Sequence, residues 1–238
     1  RCSGSGELIR GECLRIPYEP PPALGREFIE LGPEIVAVIL MTVASGWRYA
    51  CAAADINANA GEVLITERLR DGMRRVQKEA PKDSPYKQIW VLPGTESRSK
   101  SSVVLPDGRT DIPLAFVEIF LRFGEHDPHA IIECKRIAGL DTHLCREYVV
   151  EGMDRFIQEK YGENHAVGFM VGYVLSGSPP ECADGVNAHL KRVSRPADRL
   201  DPSGVSDGPF WQSLHARPEQ SMPIRLHHAF LEFSASAA

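Results

Sequence analysis

The segment Ala166-Val167-Gly168-Phe169-Met170-Val171-Gly172-Tyr173-Val174-Leu175 carries no charge and is bounded by Asn164 on one side and by Ser176-Gly177-Ser178-Pro179-Pro180 on the other. A run so short and so apolar suits a buried strand. Before it, Leu144, Tyr148, Gly152, Phe156 and Tyr161 form a mainly apolar helical stripe, with Asp141 or Thr142 as its cap. Earlier still, the apolar run Ala130-Ile131-Ile132 continues into Glu133-Cys134-Lys135. A strand, a crossing helix and a second strand normally set the two strands parallel. These three segments constrain the chain to an α/β fold.

Upstream, Ile65, Leu69, Met73 and Val76 make the stripe of an amphipathic helix, with Asn59 as N-cap and Glu62 three residues on in a capping-box-like start. Val103-Val104-Leu105 and Phe116 to Phe123 read as strands, and Gly124 to His129 as the turn into the strand that carries Glu133. The order is then helix, three strands, helix, strand. Residues 17 to 25 are Pro-rich and Glu34 to Ala54 looks helical, so residues 1–58 are expected to be a leader and a helix packed on a core domain of residues 59–238. Residues 176 to 209 read as loops around one short helix, Val186 to Val193, and residues 211 to 217 and 224 to 231 as two late strands.

In a strand, residues i and i+2 share a face, so Glu133 and Lys135 project together while Cys134 packs on the other side with its carbonyl free. Asp111 lies 22 residues before Glu133, at the start of a hairpin whose return strand carries the pair. Two carboxylates and a lysine on neighbouring strands are what metal-dependent phosphodiester hydrolysis requires: the cation must be held, and a water activated, beside a negatively charged ester.

The segments Gly108-Arg109-Thr110-Asp111-Ile112 and Ile132-Glu133-Cys134-Lys135-Arg136, in this element order, resemble the PD-(D/E)xK nuclease superfamily over roughly residues 59 to 175. Thr110 precedes Asp111, so the family's Pro-Asp pair is absent. The resemblance implies a restriction-endonuclease-like αβββαβ core, a mixed central sheet flanked by helices, with an N-terminal helical extension. It also implies Mg²⁺ or Mn²⁺ held by Asp111, Glu133 and the Cys134 carbonyl, with Lys135 orienting the attacking water. Relatives often aim a glutamate from the first helix at the metal, which suggests Glu62; the alternative is that Glu62 only caps the helix and favours its dipole. DNA is the implied substrate, restriction or prokaryotic defence the implied setting, and a homodimer or a multi-protein system the implied assembly. The competing reading is a non-catalytic nucleic-acid-binding or assembly subunit of the same fold.

A net charge of −5 does not advertise a nucleic-acid binder, so basic residues would have to be gathered in one groove. Arg136 and Arg155 are candidates beside the acidic pair, as are His215 and Arg217 on one late strand, for which an exposed polar strand face is the plainer explanation. The run from Lys191 to Arg199 is a second basic stretch. His126 and His129 lack the partner pair that a zinc site requires. Six cysteines without a C-x-x-C pair suggest reduced thiols and a cytoplasmic protein. The apolar stretch from Ile35 to Trp47 suits a buried helix rather than a membrane span.

Overall fold

The structure, a computed structural model, describes residues 29–233 apart from 54, 95, 98–107, 124–127, 206–207 and 218–221. Helices α1 (Pro33–Cys51) and α2 (Glu62–Glu79) precede strand β1 (Ile89–Val91) and the small pair β2 (Glu96–Ser97) and β3 (Gly108–Arg109). Then come β4 (Ile112–Phe116), α3 (Val117–Phe123), β5 (Ala130–Ala138) and α4 (Thr142–Tyr148), which runs through a π-helical turn at Val149–Met153 into α5 (Asp154–Ile157). The chain continues with β6 (Val167–Ser176), α6 (Pro179–Arg192), β7 (Asp201–Pro202), β8 (Phe210–His215) and β9 (Ile224–Glu232).

Seven strands form one mixed sheet in the order β1-β4-β5-β6-β9-β8-β7. Its centre, β5-β6-β9, is parallel, and both flanks are antiparallel. The strand period divides the core between the two faces. On one face Ile132 and Cys134 of β5 and Phe169 and Val171 of β6 pack with Ile39, Leu40 and Val43 of α1 and Ile65, Leu69 and Met73 of α2. On the other, Ile131, Ile137 and Met170 meet Tyr148, Phe156, Val186 and Leu190 of the α4–α5 stretch and α6. The parallel strands are thus covered on both sides, which is why β6 reads as an unbroken apolar run.

α1 is long and apolar enough to cross a bilayer by length and composition. Here its stripe Val36, Ile39, Leu40, Val43, Trp47 and Ala50 is buried in the same core as α2, and the Trp47 indole donates to the Glu232 carbonyl at 2.6 Å. α1 and α2 cross backbone to backbone: a Cβ on Gly72 would come within 2.1 Å of the Gly46 carbonyl oxygen.

Several expectations are corrected. Residues 117–123 are helical, not extended. β4 pairs with β1 only up to Phe116 and with β5 only through Leu114, so a helix that satisfies its own backbone takes over where ladder partners end. The α2 N-cap is Gly61 rather than Asn59, without a side-chain cap. Tyr161 lies beyond the end of α5 rather than inside a continuous helix. α6 begins at Pro179, seven residues earlier than its apolar pattern suggests, because Ser178 and Glu181 form a capping box around two prolines that suit a first turn. The strand expected at residues 103–105, the Pro-rich leader and His126 lie outside the described residues.

Candidate active site

The site forms where β5 outlasts β4. Ladder pairing between them stops at Ile112 opposite Ile132, which leaves the next inward N–H groups of β5, those of Cys134 and Arg136, without a strand to bond. Two carboxylates take the place of that strand. Asp111 Oδ2 accepts from the Cys134 N–H at 2.8 Å, and Glu62 Oε2, from the first turn of α2, accepts from the Arg136 N–H at 3.0 Å. Glu62 therefore faces the site and does not cap its own helix. The Cys134 carbonyl lies on the same open edge and accepts from Lys135 Nζ at 3.0 Å.

Glu133 is fully buried, with one carboxylate oxygen saturated by cations: Lys135 Nζ lies 2.8 Å from Oε1 and an Arg155 guanidinium nitrogen 3.0 Å from it. The other oxygen, Oε2, is buried with no hydrogen-bond partner among the described residues. Lys135 also reaches Glu62 Oε1 at 3.3 Å. Burial and the charge of Asp111 push the Glu133 carboxyl up to about 8, against the pull of Lys135 and Arg155. Asp111 is raised in the same direction, by burial first. Burial works against the Lys135 ammonium, but the carboxylates of Glu133, Glu62 and Asp111 outweigh it and hold the lysine charged. The cluster is thus short of positive charge: two buried acids resist ionising together although a lysine and an arginine already stand beside them.

Cys134 points to the opposite face, as the strand period requires, and burial raises its thiol well above the usual range. Arg136 is half-buried next to Lys135. Arg155 follows the π-helical turn, keeps 29% of its side chain exposed and also donates to the Tyr161 hydroxyl at 2.6 Å. Such turns are frequent at functional sites because the extra residue re-aims the side chains after it. Asp111, Glu133, Lys135, Glu62 and Arg155 are therefore brought together.

His215 and Arg217 are not part of this cluster, and they do not lie on an exposed strand face. Arg217 is 4% exposed and donates to the carbonyls of Phe156, Glu163 and His165. His215 is 1% exposed and belongs to a buried chain in which Tyr148 meets His228 Nδ1 at 3.0 Å, His228 Nε2 meets Ser213 Oγ at 2.8 Å, Ser213 meets His215 Nε2 at 2.7 Å and His215 Nδ1 meets Asp198 at 3.0 Å. Both side chains hold the fold together and are closed to a phosphate. In the basic run, Arg195 pairs with Asp154 and Asp198, and Arg199 with Asp201.

Two site residues escaped the sequence reading. Arg70 of α2, 6% exposed, approaches the Asp111 carbonyl at 3.4 Å; its only sequence signal is a position at the margin of the α2 stripe. Tyr161 falls at the end of the expected helical stripe, yet it follows Phe156 by five positions where a helix wants three or four.

Among the described residues no three His, Cys, Asp or Glu side chains form a ready metal cage. The donors here are two carboxylates and a main-chain carbonyl, a hard, oxygen-only set that fits a cation such as Mg²⁺, which keeps several waters and takes few protein ligands. The partnerless Glu133 oxygen supports that fit. No protein-family model, curated protein or solved structure matches this chain.

Proposed function

We propose that this chain is a metal-dependent nuclease, with DNA as its default substrate, built on a restriction-endonuclease-like αβββαβ core. The order α2, β1, β4, β5, the α4–α5 stretch and β6 supports the core assignment. One observation carries the function: a fully buried glutamate whose one oxygen is held by two cations and whose other oxygen has no described protein partner, beside a second buried acid.

Asp111, Glu133 and the Cys134 carbonyl would hold Mg²⁺ or Mn²⁺, with Glu62 at the margin. Bound there, the ion would supply charge neutralisation on the phosphate and make water at the site more acidic. Lys135, fixed between Glu133 and Glu62, stabilises the negative charge that grows on the phosphate during attack and orients the water. The exposed part of Arg155 offers a guanidinium to a phosphate oxygen.

The test is cleavage of plasmid, linear duplex, single-stranded DNA and RNA with Mg²⁺ or Mn²⁺, by wild type and by Glu133→Gln and Lys135→Met. Metal-dependent cleavage should fall by about 10² to 10³ in Lys135→Met while the protein stays folded. Near-normal cleavage by that variant sinks the lysine assignment. A wild type that neither cleaves nor binds Mn²⁺ leaves the fold as a binding or assembly module.

A further inference from the structure

The ring of Tyr161 belongs to the core, but core packing does not explain what its hydroxyl does. Its ring is buried edge-on to Phe156 at 5.7 Å, but its hydroxyl uses both a donor and an acceptor on two separate parts of the site. It donates to the Arg109 carbonyl at 2.9 Å, two residues before Asp111, and accepts from the Arg155 guanidinium at 2.6 Å. The same guanidinium nitrogen lies 3.0 Å from Glu133. One hydroxyl thus connects the segment that delivers Asp111 to the cation that holds Glu133.

The backbone around it is shaped for this. Glu159 has φ 62° and Gly162 φ 59°, so left-handed residues flank Tyr161 on both sides and turn the chain back on α5, with the Tyr161 N–H bonded to the Arg155 carbonyl at 3.1 Å. A buried glutamate at positive φ is uncommon and costs of order 1 kcal/mol, which a surrounding structure must offset.

We propose that Tyr161 is a positioning residue that sets Asp111 and Glu133 relative to each other through the Arg109 carbonyl and Arg155, and so governs the affinity of the site for a divalent cation. The inference rests on the nuclease reading. It concerns a partner of the ligands, of the kind whose loss typically weakens metal affinity about 10- to 100-fold.

The experiment is calorimetric titration of Mn²⁺ alone into wild type, Tyr161→Phe, Arg155→Lys and the double variant, with thermal melts and steady-state cleavage of duplex DNA alongside. Tyr161→Phe keeps the ring and removes only the oxygen. It should weaken Mn²⁺ at least tenfold and lower kcat at unchanged KM for DNA, and the double variant should be no worse than Arg155→Lys, since the two act through one connection. Wild-type Mn²⁺ affinity in folded Tyr161→Phe, or additive losses in the double variant, overturns the proposal alone. Should Tyr161→Phe not fold, Arg155→Lys must show the same loss of affinity, and wild-type affinity there overturns the proposal. A wild type that binds no Mn²⁺ overturns it together with the nuclease reading.

Discussion

At the scale of single residues, Asp111 and Glu62 each accept an edge N–H of the sheet, and under the proposed function they serve the chemistry as well. Glu62 accepts the Arg136 N–H and faces the Lys135 ammonium. A glutamine keeps an oxygen for that N–H but lacks the charge, whereas an alanine loses both. Glu62→Gln should therefore unfold in urea with wild-type stability yet cleave about tenfold more slowly. Glu62→Ala should lose about 1 kcal/mol of stability as well, because an edge N–H is left without its partner. Equal stability losses in both variants would show that the charge, not the hydrogen bond, holds this edge.

At the scale of elements, the crossing of α1 and α2 sets how closely the first helix lies on the sheet. With the Gly72 Cα against the Gly46 carbonyl there is no room for a methyl group, and the atom it would strike is backbone rather than a movable side-chain tip. Gly72→Ala should destabilise the protein by about 1–3 kcal/mol, read as a lower urea midpoint, even though alanine is the better helix former. It should also reduce cleavage, since α2 carries Glu62 and Arg70. This is also the scale at which sequence and structure part company. β5, β6, α2 and the parallel crossover were legible because their periodicity survives tertiary context. Val117 to Phe123 was not: its partial alternation fits a strand, and only the absence of ladder partners beyond Phe116 decides for a helix. The same limit applies to the site. Glu133 and Lys135 share a face by strand geometry alone, and Asp111 follows from hairpin distance. Tyr161, Arg70 and the burial of His215 and Arg217 depend on which segments meet in space, which spacing along the chain does not encode.

At the scale of the whole molecule, the core on both faces of the sheet hides histidines: His227 stacks on Phe169 on one side and His228 meets Tyr148 on the other. Burial lowers the pKa of His165 and His227 to about 4 from the ordinary 6.5, and shifts His215 and His228 the same way. Between pH 6.5 and about 4, His165 and His227 each bind a proton in the unfolded chain but not in the folded one, so stability falls on acidification by about 1.4 kcal/mol per pH unit for each, and His215 and His228 add to the fall in the same direction. Glu133, raised from 4.5 to about 8, acts in the opposite sense between those values, and Asp111, also raised by burial, acts with it, as two acids against four histidines. Thermal melts should show a clear drop in Tm from pH 7 to pH 5; a flat profile would mean that the histidines are already charged in the native state.

The unequal lengths of β4 and β5 make the site a vacancy in a ladder. By the register of the ladder Cys134 and Arg136 would face residues 110 and 108, so β4 would have to run four residues further ahead of Ile112 to claim both N–H groups that the two carboxylates occupy. Under the proposed function, activity is therefore gated by strand length: a local change that let β4 zip four residues further would close this edge and yield a better-bonded, inert sheet.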